Sequence, residues 1–165
     1  MSRVQLAINV SDIDAAIDFY TKLFGVGPAK VREGYANFAV TDPPLKLVLI
    51  EGAGQPGSLN HLGVEVESTD EVGAAIMRLQ AEGLATDVEE QTTCCYAVQD
   101  KVWVHGPDAE PWEVYTVLAD APTMHDVPAA PTAASDAADA ATDAACCAPA
   151  AVTEPTPVTF SARCC

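Results

Sequence analysis

Basic residues are scarce in this chain. Eight Lys and Arg stand against 24 Asp and Glu among 165 residues, a formal net charge of −16. So acidic a surface repels polyanions, which argues against nucleic acid or an anionic membrane as partner. No apolar run approaches the roughly 20 residues that a membrane-crossing helix needs. The N-terminus lacks the charged-then-apolar pattern of a secretory signal, so the expected location is cytoplasmic and thiol-reducing. From Asp120 onward Phe160 is the only aromatic residue among runs of Ala, Pro, Thr and Asp. Alanine supplies no core there, and residues 120–165 read as a disordered tail. A solitary cysteine is also missing: all six occur as the adjacent pairs Cys94–Cys95, Cys146–Cys147 and Cys164–Cys165. Adjacent Cα atoms lie about 3.8 Å apart, short of the ~4.4–6.8 Å span of an ordinary disulfide. Paired thiolates suit a shared soft ion or metalloid instead.

What the chain does contain is a repeat. Val4-Gln5-Leu6-Ala7-Ile8-Asn9-Val10 aligns with Asn60-His61-Leu62-Gly63-Val64-Glu65-Val66 at an offset of 56 residues. Both segments alternate in period two, with Gln5 and His61 at matched positions on the face opposite the apolar one. A helix follows each. Ser11 with Asp14 reads as a capping box before Ile13, Ile17, Tyr20 and Phe24, with Gly25 as a stop. Ser68 with Glu71 precedes Val72, Ile76 and Leu79, with Gly83 as a stop. Three strand-like segments close each unit, at about 29–32, 35–40 and 45–51, then 85–91, 101–105 and 112–118. The expectation is an α+β fold over residues 1–119, with modules of about 1–56 and 57–119. Two paired βαβββ modules form a cupped mixed sheet with the helices outside.

The last strand, Pro111-Trp112-Glu113-Val114-Tyr115-Thr116, sets Glu113 and Tyr115 on the face opposite Val114 and Thr116. Gln5, His61 and Glu113 can then converge in the cup, where an imidazole, a carboxylate and an amide oxygen suit a divalent first-row metal. Aligning Leu45-Lys46 with Trp112-Glu113 sets Lys46 at the first-unit position equivalent to Glu113, so no fourth protein ligand is expected there. Three ligands leave open positions. His105, at a strand end, and His125, in the tail, are given no role.

These paired units, together with Asn60-His61-Leu62-Gly63 and Gly106-Pro107-Asp108…Pro111-Trp112-Glu113, resemble the vicinal-oxygen-chelate superfamily of glyoxalases, bleomycin-resistance proteins and extradiol dioxygenases. The run Thr93-Cys94-Cys95-Tyr96-Ala97 is similar to that of the carbon–arsenic lyases and cadmium-induced proteins within it. That resemblance implies an Fe(II)-dependent dioxygenase acting on a trivalent organoarsenical and O2. Its metal ligands map onto Gln5, His61 and Glu113, and its arsenic-binding pair onto Cys94 and Cys95. Tyr96 is a candidate pocket residue, and Cys146, Cys147, Cys164 and Cys165 are candidate auxiliary thiols. A non-catalytic cadmium- or arsenite-binding protein and a glyoxalase-like metalloenzyme stay open as alternatives. So do manganese in place of iron, and a homodimer in place of a monomer.

Overall fold

The computed structural model describes residues 2–125. In chain order the elements are β1 Arg3–Val10, α1 Ile13–Phe24, β2 Lys30–Arg32, β3 Tyr35–Thr41, β4 Pro44–Glu51, β5 Leu59–Glu65, α2 Thr69–Ala81, β6 Asp87–Cys94, β7 Ala97–His105 and β8 Pro111–Asp120. The expected pair of βαβββ modules is present. One 8-stranded sheet runs in the order β2-β3-β4-β1-β5-β8-β7-β6. Within each module the first and last strands pair in parallel, β1 with β4 and β5 with β8, while β1 and β5 join the modules antiparallel. A parallel pair cannot be closed by a tight hairpin, and the intervening helix supplies part of the crossover.

The period-two pattern decides which face each residue takes. Leu6, Ile8 and Val10 turn to the outer face, where Ile13, Ile17, Tyr20 and Phe24 of α1 pack with Phe38, Val40, Leu47 and Leu49. Val72, Ile76 and Leu79 of α2 cover Val102, Val104 and Val114 in the same way. The start of α1 differs from the capping box expected at Ser11. Asp12 is the N-cap, its carboxylate accepting from the Ala15 N–H at 2.9 Å. Asp at Ser11+1 competes for the same orphan amides and adds a negative charge at the positive end of the helix dipole. Ser68 caps α2 as expected, and Gly25 ends α1 in the left-handed conformation at φ 67°.

The sheet curls so that its far end closes over β2 and β3. The turn between β6 and β7 reaches across to β2 and β3: Lys30 Nζ donates to the Tyr96 carbonyl at 3.0 Å, and the Tyr96 and Tyr35 rings lie 5.3 Å apart. Lys30 also pairs with Asp120. The chain after β8 follows this seam, with Cys95 N–H donating to the Met124 carbonyl at 2.8 Å and a bridge between Cys94 and His125. Among the described residues no helix is long and apolar enough to cross a membrane.

Candidate functional site

The inner face of the curled sheet is polar and buried. Gln5, Asn9, Lys46, His61, Lys101 and Glu113 all lie on it at 8% exposure or less. Strand register explains the convergence. Gln5 is paired with Gly63, and Gly63 in turn with Glu113, so the Gln5 and Glu113 side chains flank a residue without a side chain. His61 lies two positions earlier on the same strand face. Gly63 keeps the space between them open: a Cβ there would meet Glu113 Cγ at 3.1 Å, Gln5 Cβ at 3.2 Å and Gln5 Nε2 at 3.3 Å.

The structure therefore brings Gln5, His61 and Glu113 together. Gln5 Nε2 lies 2.9 Å from His61 Nε2 and 2.7 Å from Glu113 Oε1, and the latter two atoms are 3.4 Å apart. Asn60 Oδ1 sits 2.7 Å from His61 Nδ1 and accepts from it, which leaves Nε2 as a lone pair facing the cup. Among the described residues no group of three or more His, Cys, Asp or Glu could hold a metal, and a three-ligand set at this cluster would draw on the Gln5 amide. The spacing suits one ion with bonds of about 2.0–2.2 Å, because neighbouring ligands at that radius stand roughly 3 Å apart. Such a set of one imidazole, one carboxylate and one amide oxygen fits a non-haem divalent metal with open positions.

The assignment of Lys46 needs correction. Gln5 pairs with Lys46 whereas Ala7 pairs with Val48, and Ala7 is the repeat counterpart of Gly63, the partner of Glu113. Val48, not Lys46, is thus equivalent to Glu113. The alignment slipped by two residues because period-two alternation is unchanged by such a slip. Val48 is buried and apolar and adds no fourth ligand. Lys46 instead lies 3.8 Å from Glu65, which accepts from Arg3 Nε at 2.7 Å.

Two further residues around the centre had no role at the sequence level. Lys101 Nζ, fully buried, donates to Glu113 Oε2 at 2.8 Å. Tyr115 donates its hydroxyl to Gln5 Oε1 at 2.5 Å. Their signal was present but weak: a lysine and a tyrosine at inward positions of strands whose opposite face carries Val102, Val104 and Val114.

Burial by itself would raise the Glu113 carboxyl, but the Lys101 ammonium and His61 outweigh it and bring it to about 2. Glu65 likewise sits below its ordinary value, burial being overcome by Arg3 and Lys46. Both groups bind protons more weakly folded than unfolded, where a glutamate titrates near pH 4.3. Their stabilisation is complete above about pH 4.3 and is lost as pH falls through their folded values. Denaturant unfolding of the metal-free protein should therefore show stability declining from about pH 4.3 downward; a flat profile to pH 3 would contradict the pairing.

Cys94 ends β6, and Cys95-Tyr96 form the two-residue turn into β7. Both turn residues have positive φ, 56° and 61°. That is the hairpin geometry usually left to Asn and Gly, and it is costly for side chains such as these. It brings the two sulfurs to 3.3 Å, in contact but well beyond the ~2.05 Å of a mutual disulfide. Cys94 is disulfide-bonded, and Cys95 is not its partner. Cys95 and Tyr96 pack on Ala7, Tyr35, Val48 and Ile50 of the cup floor. Burial lowers Lys46, and the charges of Glu65, Glu113 and Cys95 oppose it, so Cys95 lies within electrostatic reach of Lys46. A cavity of about 290 Å³ opens beside the turn, lined by Glu33, Gly34, Ile50, Tyr96 and Met124. His125, given no role from sequence, bridges to Cys94. Cys146, Cys147, Cys164 and Cys165 lie outside the described residues.

Fold and site together define a class. Residues 3–114 match the Glyoxalase/Bleomycin resistance protein/Dioxygenase superfamily. The chain is 60% identical over 150 residues to the trivalent organoarsenical cleaving enzyme of Thermomonospora curvata, covering 90% of each. It is 64% identical over 124 residues to the cadmium-induced protein CadI of Mycobacterium tuberculosis, covering 75% of this chain and 82% of that one. An extradiol ring-cleaving dioxygenase from B. fuscum shares the fold with a TM-score of 0.53 at 19% identity, over 72% of this chain and 33% of that one. The chain belongs to this superfamily and, within it, to the family of the trivalent organoarsenical cleaving enzymes and cadmium-induced proteins.

Gly63→Ala tests the crowding argument. The added methyl pushes Gln5 and Glu113 apart, and if these residues hold a metal its affinity measured by calorimetry should fall roughly tenfold. Unchanged affinity would show that the ligand candidates do not need that gap.

Proposed function

We propose that the protein is a non-haem Fe(II)-dependent dioxygenase that cleaves the carbon–arsenic bond of trivalent organoarsenicals of the methylarsenite type, releasing arsenite. The observation that carries this reading is the 60% identity over 150 residues to a trivalent organoarsenical cleaving enzyme. Gln5, His61 and Glu113 are the metal ligands in this reading, and their convergence in a buried cluster supports it. Iron held by these three residues would supply O2 activation. The chain's own residues do the rest.

Cys94 and Cys95, once both are reduced, exchange the oxygen ligands of trivalent arsenic for sulfur, a soft centre matched to soft donors. The exchange needs thiolates and grows stronger as pH rises toward the ordinary thiol range near 8.5. The turn holds the sulfurs 3.3 Å apart, so reduction of Cys94 leaves the two thiols already close enough to share one centre. The cavity beside Tyr96 and Met124 has room for the organic group. Lys101 holds Glu113 by one oxygen and leaves the other facing His61. A cytoplasmic, thiol-reducing location would free Cys94 from its disulfide, and Cys146, Cys147, Cys164 and Cys165 serve as auxiliary thiols that gather arsenicals for the pair.

The 64% identity to a cadmium-induced protein favours one other reading, sequestration of cadmium or arsenite without chemistry. An oxygen electrode separates the two. The Fe(II)-loaded, reduced protein should consume O2 when methylarsenite is added; binding without O2 uptake would establish the sequestering protein.

A further inference from the structure

We infer that metal loading turns the Gln5 carboxamide over, and that Tyr115 is the positioning residue whose hydroxyl serves both orientations; this rests on the reading of Gln5, His61 and Glu113 as metal ligands. As it stands, the Gln5 NH2 group donates to His61 Nε2 at 2.9 Å and to Glu113 Oε1 at 2.7 Å. These are the two lone pairs a cation would take, so the amide N–H groups fill the place of its charge. The orientation follows from the partners. With the amide reversed and no cation present, Gln5 Oε1 would sit against a carboxylate oxygen and an imidazole lone pair, three acceptors with no donor between them.

A metal reverses that preference. The amide nitrogen has its lone pair delocalised into the carbonyl, so only Oε1 can ligate. For Gln5 to serve as third ligand, the terminal amide must rotate by about half a turn, a torsion with two broad wells. Rotation sends the NH2 to where Oε1 now meets the Tyr115 hydroxyl at 2.5 Å. Tyr115 must then accept instead of donate, and its own O–H needs another acceptor. Glu65 Oε2 stands 3.5 Å from the same hydroxyl. That carboxylate is kept charged by Arg3 at 2.7 Å and Lys46 at 3.8 Å. A phenol has one donor hydrogen and free lone pairs, so it satisfies Gln5 in both states. Gly63 leaves the amide room to turn.

The test uses Zn(II), which is diamagnetic and redox-silent, with protein labelled at the glutamine side-chain amides. The Gln5 amide protons, identified by their absence in Gln5→Ala, should show cross-peaks to the His61 ring without metal and to the Tyr115 ring with Zn(II). Calorimetry supplies the second readout. Tyr115→Phe should weaken Zn(II) binding about tenfold in the native background, and much less in Gln5→Ala, because Tyr115 acts through Gln5. Cross-peaks that stay on His61 in the Zn(II) form, or an equal Tyr115→Phe loss in both backgrounds, overturn the inference while the metal centre stands. If His61→Ala and Glu113→Gln bind Zn(II) as the native chain does, the metal centre itself is misplaced and the inference falls with it.

Discussion

Replacing both Cys94 and Cys95 by serine should reduce arsenite release by at least about 10²-fold while leaving metal affinity unchanged. The estimate rests on positioning: reactions held in place by two bonds gain orientation that a mobile substrate lacks, and misplacement alone costs about that much. Serine preserves shape but offers a hard oxygen to a soft metalloid. The sulfurs are carried by the β6–β7 turn, whereas the ligand candidates stand on β1, β5 and β8. Loss of the pair should thus leave the metal centre whole. Single substitutions should fall between native and double variant, since one thiolate still captures arsenic without fixing its orientation. Steady-state arsenite release, with metal titration on the same samples, checks both halves. A double variant with native turnover would remove the clamp from the mechanism.

Glu113→Gln should show the largest effect on the fold. The carboxylate is both ligand candidate and partner of a fully buried ammonium, with Lys101 Nζ at 2.8 Å. Removing one member of a buried ion pair costs on the order of 3–5 kcal/mol. Glu89 also lies within electrostatic reach of Lys101, which places the loss toward the lower end. For a domain of this size that is a melting temperature lower by roughly 10 °C in the metal-free protein. His61→Ala removes a ligand candidate but leaves the Lys101 pair alone, so it should lose metal with a much smaller change in melting temperature. Calorimetric melting of the three metal-free proteins distinguishes them. Equal melting temperatures would show that the Lys101–Glu113 pair contributes nothing.

The sequence already carried much of this arrangement. The offset of 56 residues put Gln5 and His61 at matched positions, and strand parity put Glu113 with Tyr115, so three residues far apart in the chain could be assigned to one cup. The adjacent cysteines were visible as a pair, but not their conformation. Positive φ at Cys95 and Tyr96 belongs to a turn that Asn or Gly would have signalled and these residues do not. Alternation marks a face but not its register, which is why Lys46 stood in for Val48. The partnerships of Lys101 and Tyr115 were hidden for a related reason. A polar residue on an inward strand position looks the same in sequence whether the sheet lies open to water or curls to enclose it. The curl depends on contacts between β2–β3 and the Tyr96 turn, more than sixty residues away in the chain.

One measurement bears most directly on the proposed chemistry. The reduced protein is loaded anaerobically with Fe(II), mixed with methylarsenite, exposed to O2, and the arsenite released is quantified against iron-free and O2-free controls. The expected result is arsenite in excess of one equivalent per chain, and only when iron and O2 are both present. Equal release without iron, or none with it, would contradict an Fe(II)-dependent carbon–arsenic cleavage.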